Sequence, residues 1–339
     1  MRAPMSRVLA VDPTHPQTDV IAEAVRVLRD GGLVAFPTET VYGLGASALD
    51  EAAVRRLFAA KGRPFGHPLI AHVASDRHAR SLARTWPEMA SRLSRAFWPG
   101  PLTLVVDRAL HVPDVVSGGK DSIALRAPAH RVALAIIEGL GAPVAAPSAN
   151  LHQELSPTLA SHVVRQMGDL VDLVLDGGPC SAGIESTVVD VRGAEPRVLR
   201  PGALSLADLR ALAPEVQAVR EAAPDGEARA SPGMGARHYA PRARLRLAGS
   251  LAEAQAVASE AAVQGKVGVV LFEEFAGFRW PEAAIVRVPG RAPAEYARML
   301  YATLHELDEE GVCTIVVVRV PEGEAWWAIA DRLERGAAD

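Results

Sequence analysis

Lysine is nearly missing from this chain. Of 36 basic residues only Lys61, Lys120 and Lys266 are lysine, so a lysine in a motif suggests a need for a compact, mobile ammonium. Cysteine is as scarce. Cys180 and Cys313 stand far apart and form no Cys-x-x-Cys pair or Cys/His cluster, which disfavours a structural metal and points to a reducing compartment. Cys180, after Gly-Gly-Pro, reads as a loop thiol. No run approaches the roughly 18 uninterrupted apolar residues of a membrane span, and the opening MRAPMSRVLAVDPTHP has no apolar stretch of signal-peptide length. A cytoplasmic location with no membrane partner is the expectation. Walker A, GxSxG and HExxH sequences are also missing, which sets aside P-loop hydrolysis, serine hydrolysis and zinc chemistry. A net charge of −4 argues against a dominant polyanion-binding surface. Arg77, Arg80 and Arg84 read as a solvated helix face.

What is present suits two globular domains: 339 residues, 49% hydrophobic and 22% charged, suffice for two cores. Over residues 16–210, β-rich runs at 33–36, 69–73, 102–106, 123–126, 173–175 and 187–191 alternate with helical patterns at 20–28, 51–60, 88–97 and 131–140. This implies an α/β domain with a mixed sheet. Residues 211–241 read as a linker, Gly- and Pro-rich from 221 to 236 and ending in the ligand-type run Arg-His-Tyr-Ala-Pro, a candidate lid. Over 242–339 strands at 245–247, 267–271 and 314–320 alternate with helices at 251–263, 292–310 and 326–333, a small parallel, Rossmann-like domain. Tyr296, Leu300, Leu304 and Leu307 recur at helical spacing and read as core. Trp326 and Trp327 read as packing or a domain contact.

The densest chemistry lies in residues 31–45, GGLVAFPTETVYGLG. A buried strand stops at Pro37, hydroxyls and a carboxylate follow, and Gly43 and Gly45 allow close approach to something other than core. In KGRPFGHPLIAH, residues 61–72, Lys61 and Arg63 straddle a glycine at a helix end, a fork suited to phosphate. PSAN at 147–150 follows a strand-like run, so Ser148 and Asn150 emerge where a parallel sheet presents ligands. GIEST at 183–187, LRPG at 199–202 and SPGM at 231–234, leading to HYAP at 238–241, complete the series. SGGKDS at 117–122 matches the signature of the ATP pyrophosphatases, but there the loop opens a helix, whereas here Ser122 leads into a strand-like run.

Six motifs in this order over roughly the first 240 residues resemble the YrdC-like domain of the threonylcarbamoyl-AMP synthases, and the last points to the two-domain form. The resemblance implies an N-terminal YrdC-like α/β domain with a mixed twisted sheet and a smaller C-terminal Rossmann-like α/β domain. It implies a nucleotidyltransferase making L-threonylcarbamoyladenylate from L-threonine, bicarbonate and ATP with Mg2+, for N6-threonylcarbamoyladenosine in tRNA. Further partners would be tRNA and a threonylcarbamoyl-transferase complex. Under it Lys61 and Arg63 hold phosphates and carry the catalysis, Thr38, Thr40, His72, Arg126, Ala146 and Ser186 surround threonine, and His67, Ser122, Ser148, Asn150, Ser156, Arg200, His238 and Tyr239 join the fork around ATP. Arg126 would take the threonine carboxylate. The chain departs from the family at His67, where Asn is common, and at Gly235, where Lys is. A carbamoyl-transfer module, which would bring acylphosphatase and zinc-finger segments, and a non-enzymatic RNA-binding module are the alternative classes.

Overall fold

The computed structural model describes residues 7–218, 238–273 and 278–338. The first domain contains β1 (Arg7–Ala10), α1 (Thr18–Arg29), β2 (Val34–Phe36), β3 (Gly43–Ser47), α2 (Glu51–Lys61), β4 (Ile70–His72), α3 (Asp76–Ser81), α4 (Glu88–Phe97) and β5 (Leu102–Asp107). It continues through α5 (Asp114–Ser117), β6 (Ser122–Arg126), α6 (Arg131–Leu140), β7 (Val144–Ala145), α7 (Ala160–Met167), β8 (Leu173–Asp176), β9 (Thr187–Asp190), β10 (Arg197–Arg200), α8 (Leu206–Leu212) and β11 (Gln217–Ala218). The strands form one mixed sheet in the order β1-β8-β2-β3-β7-β4-β6-β5-β9-β10-β11.

Sequence reading placed the boundaries of this domain too far inward. Both outermost strands fall outside residues 16–210, since β1 pairs with β8 and β11 with β10, and residues 211–218 hold the end of α8, a turn and β11. Four- and two-residue strands carry too little pattern to be seen without their partners. Residues 219–237, with most of the expected lid, the SPGM motif and Gly235, lie outside the described residues. PSAN also needs correcting, because β7 runs antiparallel to both β3 and β4.

Successive strand residues face opposite sides of the sheet. Ala71, Ile123 and Leu125 point into a core with α2, α4 and α7. On the other side α1 and α6 cover only the part near β2 and β8, burying Val34, Phe36, Leu173 and Leu175. Ile70 and Ala124, with Val105 and Val188, form a small separate cluster on the face beyond. That stretch of sheet carries the cavity described below.

Gly45 does not approach a ligand. It lies in β3, paired with β2, where an added Cβ would meet a Phe36 ring carbon at 2.6 Å and a Val144 methyl at 2.9 Å. Core packing demands this glycine. Gly43 does border the cavity, beside Ala146.

The second domain contains β12 (Arg244–Ala248), α9 (Leu251–Ala261), β13 (Val267–Val270), β14 (Ala284–Arg287), α10 (Pro293–Glu309), β15 (Thr314–Val318) and α11 (Trp327–Gly336). Its four strands, ordered β12-β15-β13-β14, are all parallel, as the alternating pattern implies. Tyr296, Leu300, Leu304 and Leu307 are buried, and their cluster takes in Val41, Leu155 and Ile184 of the first domain. Trp327 packs against the main core of the first domain and Trp326 against the shared cluster. A continuous apolar seam therefore joins the domains.

Candidate active site

Local chain geometry builds the cation fork. Asp50 caps α2 through Oδ1, which accepts from the amides of Ala52 (3.0 Å) and Ala53 (3.1 Å), and Gly62 ends the helix in the left-handed region at φ 59°. Nothing lies within 4 Å of where a Gly62 side chain would start, so this glycine is required for its backbone angle. The turn buries both Lys61 and Arg63. Lys61 Nζ donates to the carbonyls of Ser148 (2.6 Å) and Asn150, and Arg63 Nη2 donates to the Pro68 carbonyl at 3.0 Å. Burial and then Arg63 hold the Lys61 ammonium well below its usual pKa, and burial lowers Arg63 to about 10. Two buried cations side by side, short of counter-charge, are a site prepared for a polyanion.

A second group surrounds Arg126. Parallel pairing of β4 and β6 puts His72 beside Arg126. The guanidinium is held on three sides: Nη1 donates to Thr40 Oγ1 at 2.9 Å, Nε to the Gly100 carbonyl at 3.2 Å, and Nη2 forms a 2.8 Å ion-pair contact with buried Glu39. Thr38 Oγ1 lies 2.8 Å from Thr40 Oγ1. Burial, and next Arg126, lowers His72 to about 3, so its ring is neutral across the physiological range. The result is an anchored cation beside hydroxyls and a neutral imidazole, a fitting seat for a small polar carboxylate.

Both groups line one cavity, with Gly43, Ile70, Ala146, Ser148, Asn150, Glu185, Ser186, Arg200, His238 and Tyr239. Arg200 Nη2 donates to Ser186 at its carbonyl (2.9 Å) and Oγ (3.1 Å). Burial, followed by Arg63, His152 and Lys61, keeps His238 neutral. Arg63 Nε, His72 Nδ1, Asn150 Oδ1 and Tyr239 Oη have no hydrogen-bond partner among the described residues. Buried polar atoms in that state are costly unless a ligand meets them.

Three expected site residues are not on the lining. His67 touches it indirectly, its ring 5.5 Å from that of His152. Ser122 shares the face of Arg126 but sits at the far end of β6, opposite Asp107. Ser156 is fully buried behind the wall, donating to Glu185 Oε1 at 2.6 Å.

Sequence reading in turn overlooked Glu39, His152, Gln153 and Glu185. Glu39 and Glu185 lay inside motifs already noted, and a carboxylate between hydroxyls was the available signal. Gln153 carried none, and its φ of 72° beside the cavity is visible only in the folded chain.

A family model described as Telomere recombination matches residues 26–202, and one described as Threonylcarbamoyl-AMP synthase, C-terminal domain, matches residues 204–338. The chain is 41% identical over 323 residues to the threonylcarbamoyl-AMP synthase of Pyrococcus abyssi, with 93% of each covered. The chain belongs to the threonylcarbamoyl-AMP synthase family. The Bacillus subtilis member is 39% identical over 94% of this chain and 92% of its own. The crystal structure of P. abyssi Sua5 complexed with L-threonine matches at a TM-score of 0.88 and 38% identity, covering 98% of both chains. Among the described residues of this family member, no group of three or more His, Cys, Asp or Glu side chains could hold a metal ion. Glu185 on the lining and Glu39 beside Arg126 are paired with Arg332 and Arg126, so neither of these two carboxylates is left over for a metal ion.

Proposed function

We propose that this chain makes L-threonylcarbamoyladenylate from L-threonine, bicarbonate and ATP, releasing pyrophosphate, for N6-threonylcarbamoyladenosine formation in tRNA. The observation that carries the reading is one cavity in which a fork of buried cations meets an anchored arginine surrounded by hydroxyls. A triphosphate and an amino acid would meet there head to head.

In this reading Arg126 takes the threonine carboxylate, and Thr38, Thr40 and neutral His72 surround the rest of the amino acid. Lys61, Arg63 and Arg200 face the phosphates. Ser148, Asn150, His238 and Tyr239 line the nucleotide end, with His67, Ser122 and Ser156 supporting it from outside the wall. The threonine amine bonds to the carbon of CO2 and loses a proton, or to the carbon of bicarbonate as its C–OH bond breaks and water leaves, giving a carbamate in either case. A carbamate oxygen then bonds to the α-phosphorus while the bond to pyrophosphate breaks. No protein nucleophile is required. The chain supplies alignment of two anions, exclusion of water from a labile carbamate, and fixed positive charge where negative charge develops. Mg2+ enters as part of the ATP complex, and tRNA with a threonylcarbamoyl-transferase complex would receive the product. The cytoplasm is the expected location; no described helix is long and apolar enough to cross a membrane.

Pyrophosphate release measured with each substrate omitted in turn tests the proposal. Release should require threonine and bicarbonate together; turnover of ATP that ignores both, or RNA retention with no turnover, would sink it.

A further inference from the structure

A cavity that must accept a triphosphate contains a carboxylate. Glu185 lines it together with Arg200, and the two charges influence one another. Within the first domain Arg200 is the lining cation whose charge acts on Glu185. Pairing between them would cancel one of the cations facing the phosphates and turn Arg200 away from its ligand.

The second domain supplies a different partner. Arg332, on α11, donates from Nε to Glu185 Oε2 at 2.7 Å, and Tyr301, on α10, reaches both carboxylate oxygens at 3.3 and 3.2 Å. Arg332 is itself almost fully buried. Its Nη2 donates to the Pro201 carbonyl at 2.8 Å, next to Arg200, and its guanidinium lies 5.0 Å from the centre of the Tyr239 ring. The backbone on either side of Glu185 is clamped as well. Gly183 has φ 73°, and a side chain there would start 2.3 Å from the Arg298 carbonyl of α10; one at Gly202 would start 2.4 Å from the Glu185 carbonyl. Strand end, turn and second domain thus converge on a single carboxylate.

We infer that Arg332 is a positioning residue of the cavity: by pairing with Glu185 it leaves Arg200 to the phosphates, so the second domain sets the affinity of the first domain's site for ATP. This rests on the synthase reading for the identity of the ligand. A buried arginine that merely glued two domains together would make the same contacts, and the two roles separate on charge. For glue, removing the arginine matters. For positioning, removing it matters only while Glu185 remains ionised.

The experiment is titration of the full chain with MgATP by calorimetry, comparing wild type, Arg332→Met, Arg332→Lys, Glu185→Gln and the Arg332→Met/Glu185→Gln pair, with KM for threonine measured alongside. Arg332→Met should weaken ATP binding by about tenfold or more, because an unpaired buried carboxylate then faces a polyanion, and should move the threonine KM much less. Arg332→Lys should restore part of the affinity. The double variant should bind ATP as Glu185→Gln does, the two changes being far from additive. Wild-type affinity in Arg332→Met, or a double variant weaker than Glu185→Gln by the whole Arg332→Met margin, would overturn the inference. If Arg332→Met does not fold, the comparison of the double variant with Glu185→Gln still decides, since both lack the Glu185 charge and Arg332, where present, keeps its second ion pair, with Asp331. Wild type without ATP affinity would instead remove the synthase reading itself.

Discussion

Lys61→Met is the sharpest test of the phosphate fork. The ammonium has three donors, and two are taken by the carbonyls of Ser148 and Asn150, which leaves one for a ligand. A single charge-assisted hydrogen bond contributes about 1.5–3 kcal/mol. A preorganised donor aimed at charge that develops during reaction changes rates by about 10²–10³. The expected loss in kcat/KM is therefore on the order of a hundredfold or more. Stability should change far less. The substitution leaves two carbonyls without a donor, at about 1–3 kcal/mol each, but it also removes a cation that burial and Arg63 disfavour, and these effects oppose one another.

Protonation gives the same prediction a second readout. A lysine with a depressed pKa carries fewer protons folded than unfolded, so the free protein gains stability as pH rises towards the unfolded lysine value of about 10.4. Bound phosphate favours the ammonium, so ATP binding at alkaline pH should draw in a proton at Lys61. Calorimetry in buffers of different ionisation enthalpy should detect uptake in wild type and not in Lys61→Met. Parental kcat/KM in the variant, or equal uptake in both proteins, would refute the reasoning.

Arg126→Lys keeps the charge but cannot reach Glu39, Thr40 and Gly100 at once; the KM for threonine should rise by about tenfold or more with ATP affinity little altered, and an unchanged KM would remove Arg126 from carboxylate recognition. Gly45→Ala drives a methyl into Phe36 and Val144 and should cost about 1–3 kcal/mol, read as a melting temperature lower by roughly 2–10 °C; an unaltered midpoint would contradict the packing account. His72, lowered to about 3 by burial and then by Arg126, binds fewer protons folded than unfolded, so it erodes stability as pH falls from about 6.5 towards 3. His72→Gln should flatten that part of the stability profile, and a superimposable profile would show that His72 plays no part in it.

Elements with a strong local pattern could be read without their neighbours. The helices around 51–60, 88–97 and 131–140 match α2, α4 and α6 within a residue at either end, because an amphipathic repeat is a local fact, as are the capping side chain and closing glycine that bound α2 and α6. The Lys61-Gly-Arg fork was readable for the same reason: a glycine closing a helix and two cations beside it need no distant partner. The alternating strands and helices after residue 241 likewise implied a parallel sheet.

What depended on tertiary structure was everything decided by partners remote in sequence. Gly45 reads as a ligand-facing glycine until Phe36 and Val144 come to lie against it. The antiparallel setting of β7, which carries Ser148 to the cavity, comes from its neighbours β3 and β4 and not from its own two residues. The structure also separated lining from support, leaving Ser156 behind Glu185 and Ser122 one strand length from Arg126. Glu185 gained its meaning only when Tyr301 and Arg332, more than a hundred residues later in the chain, closed on it. A carboxylate's charge and orientation depend on which cation reaches it, and that is settled by packing between domains, beyond the reach of any local pattern.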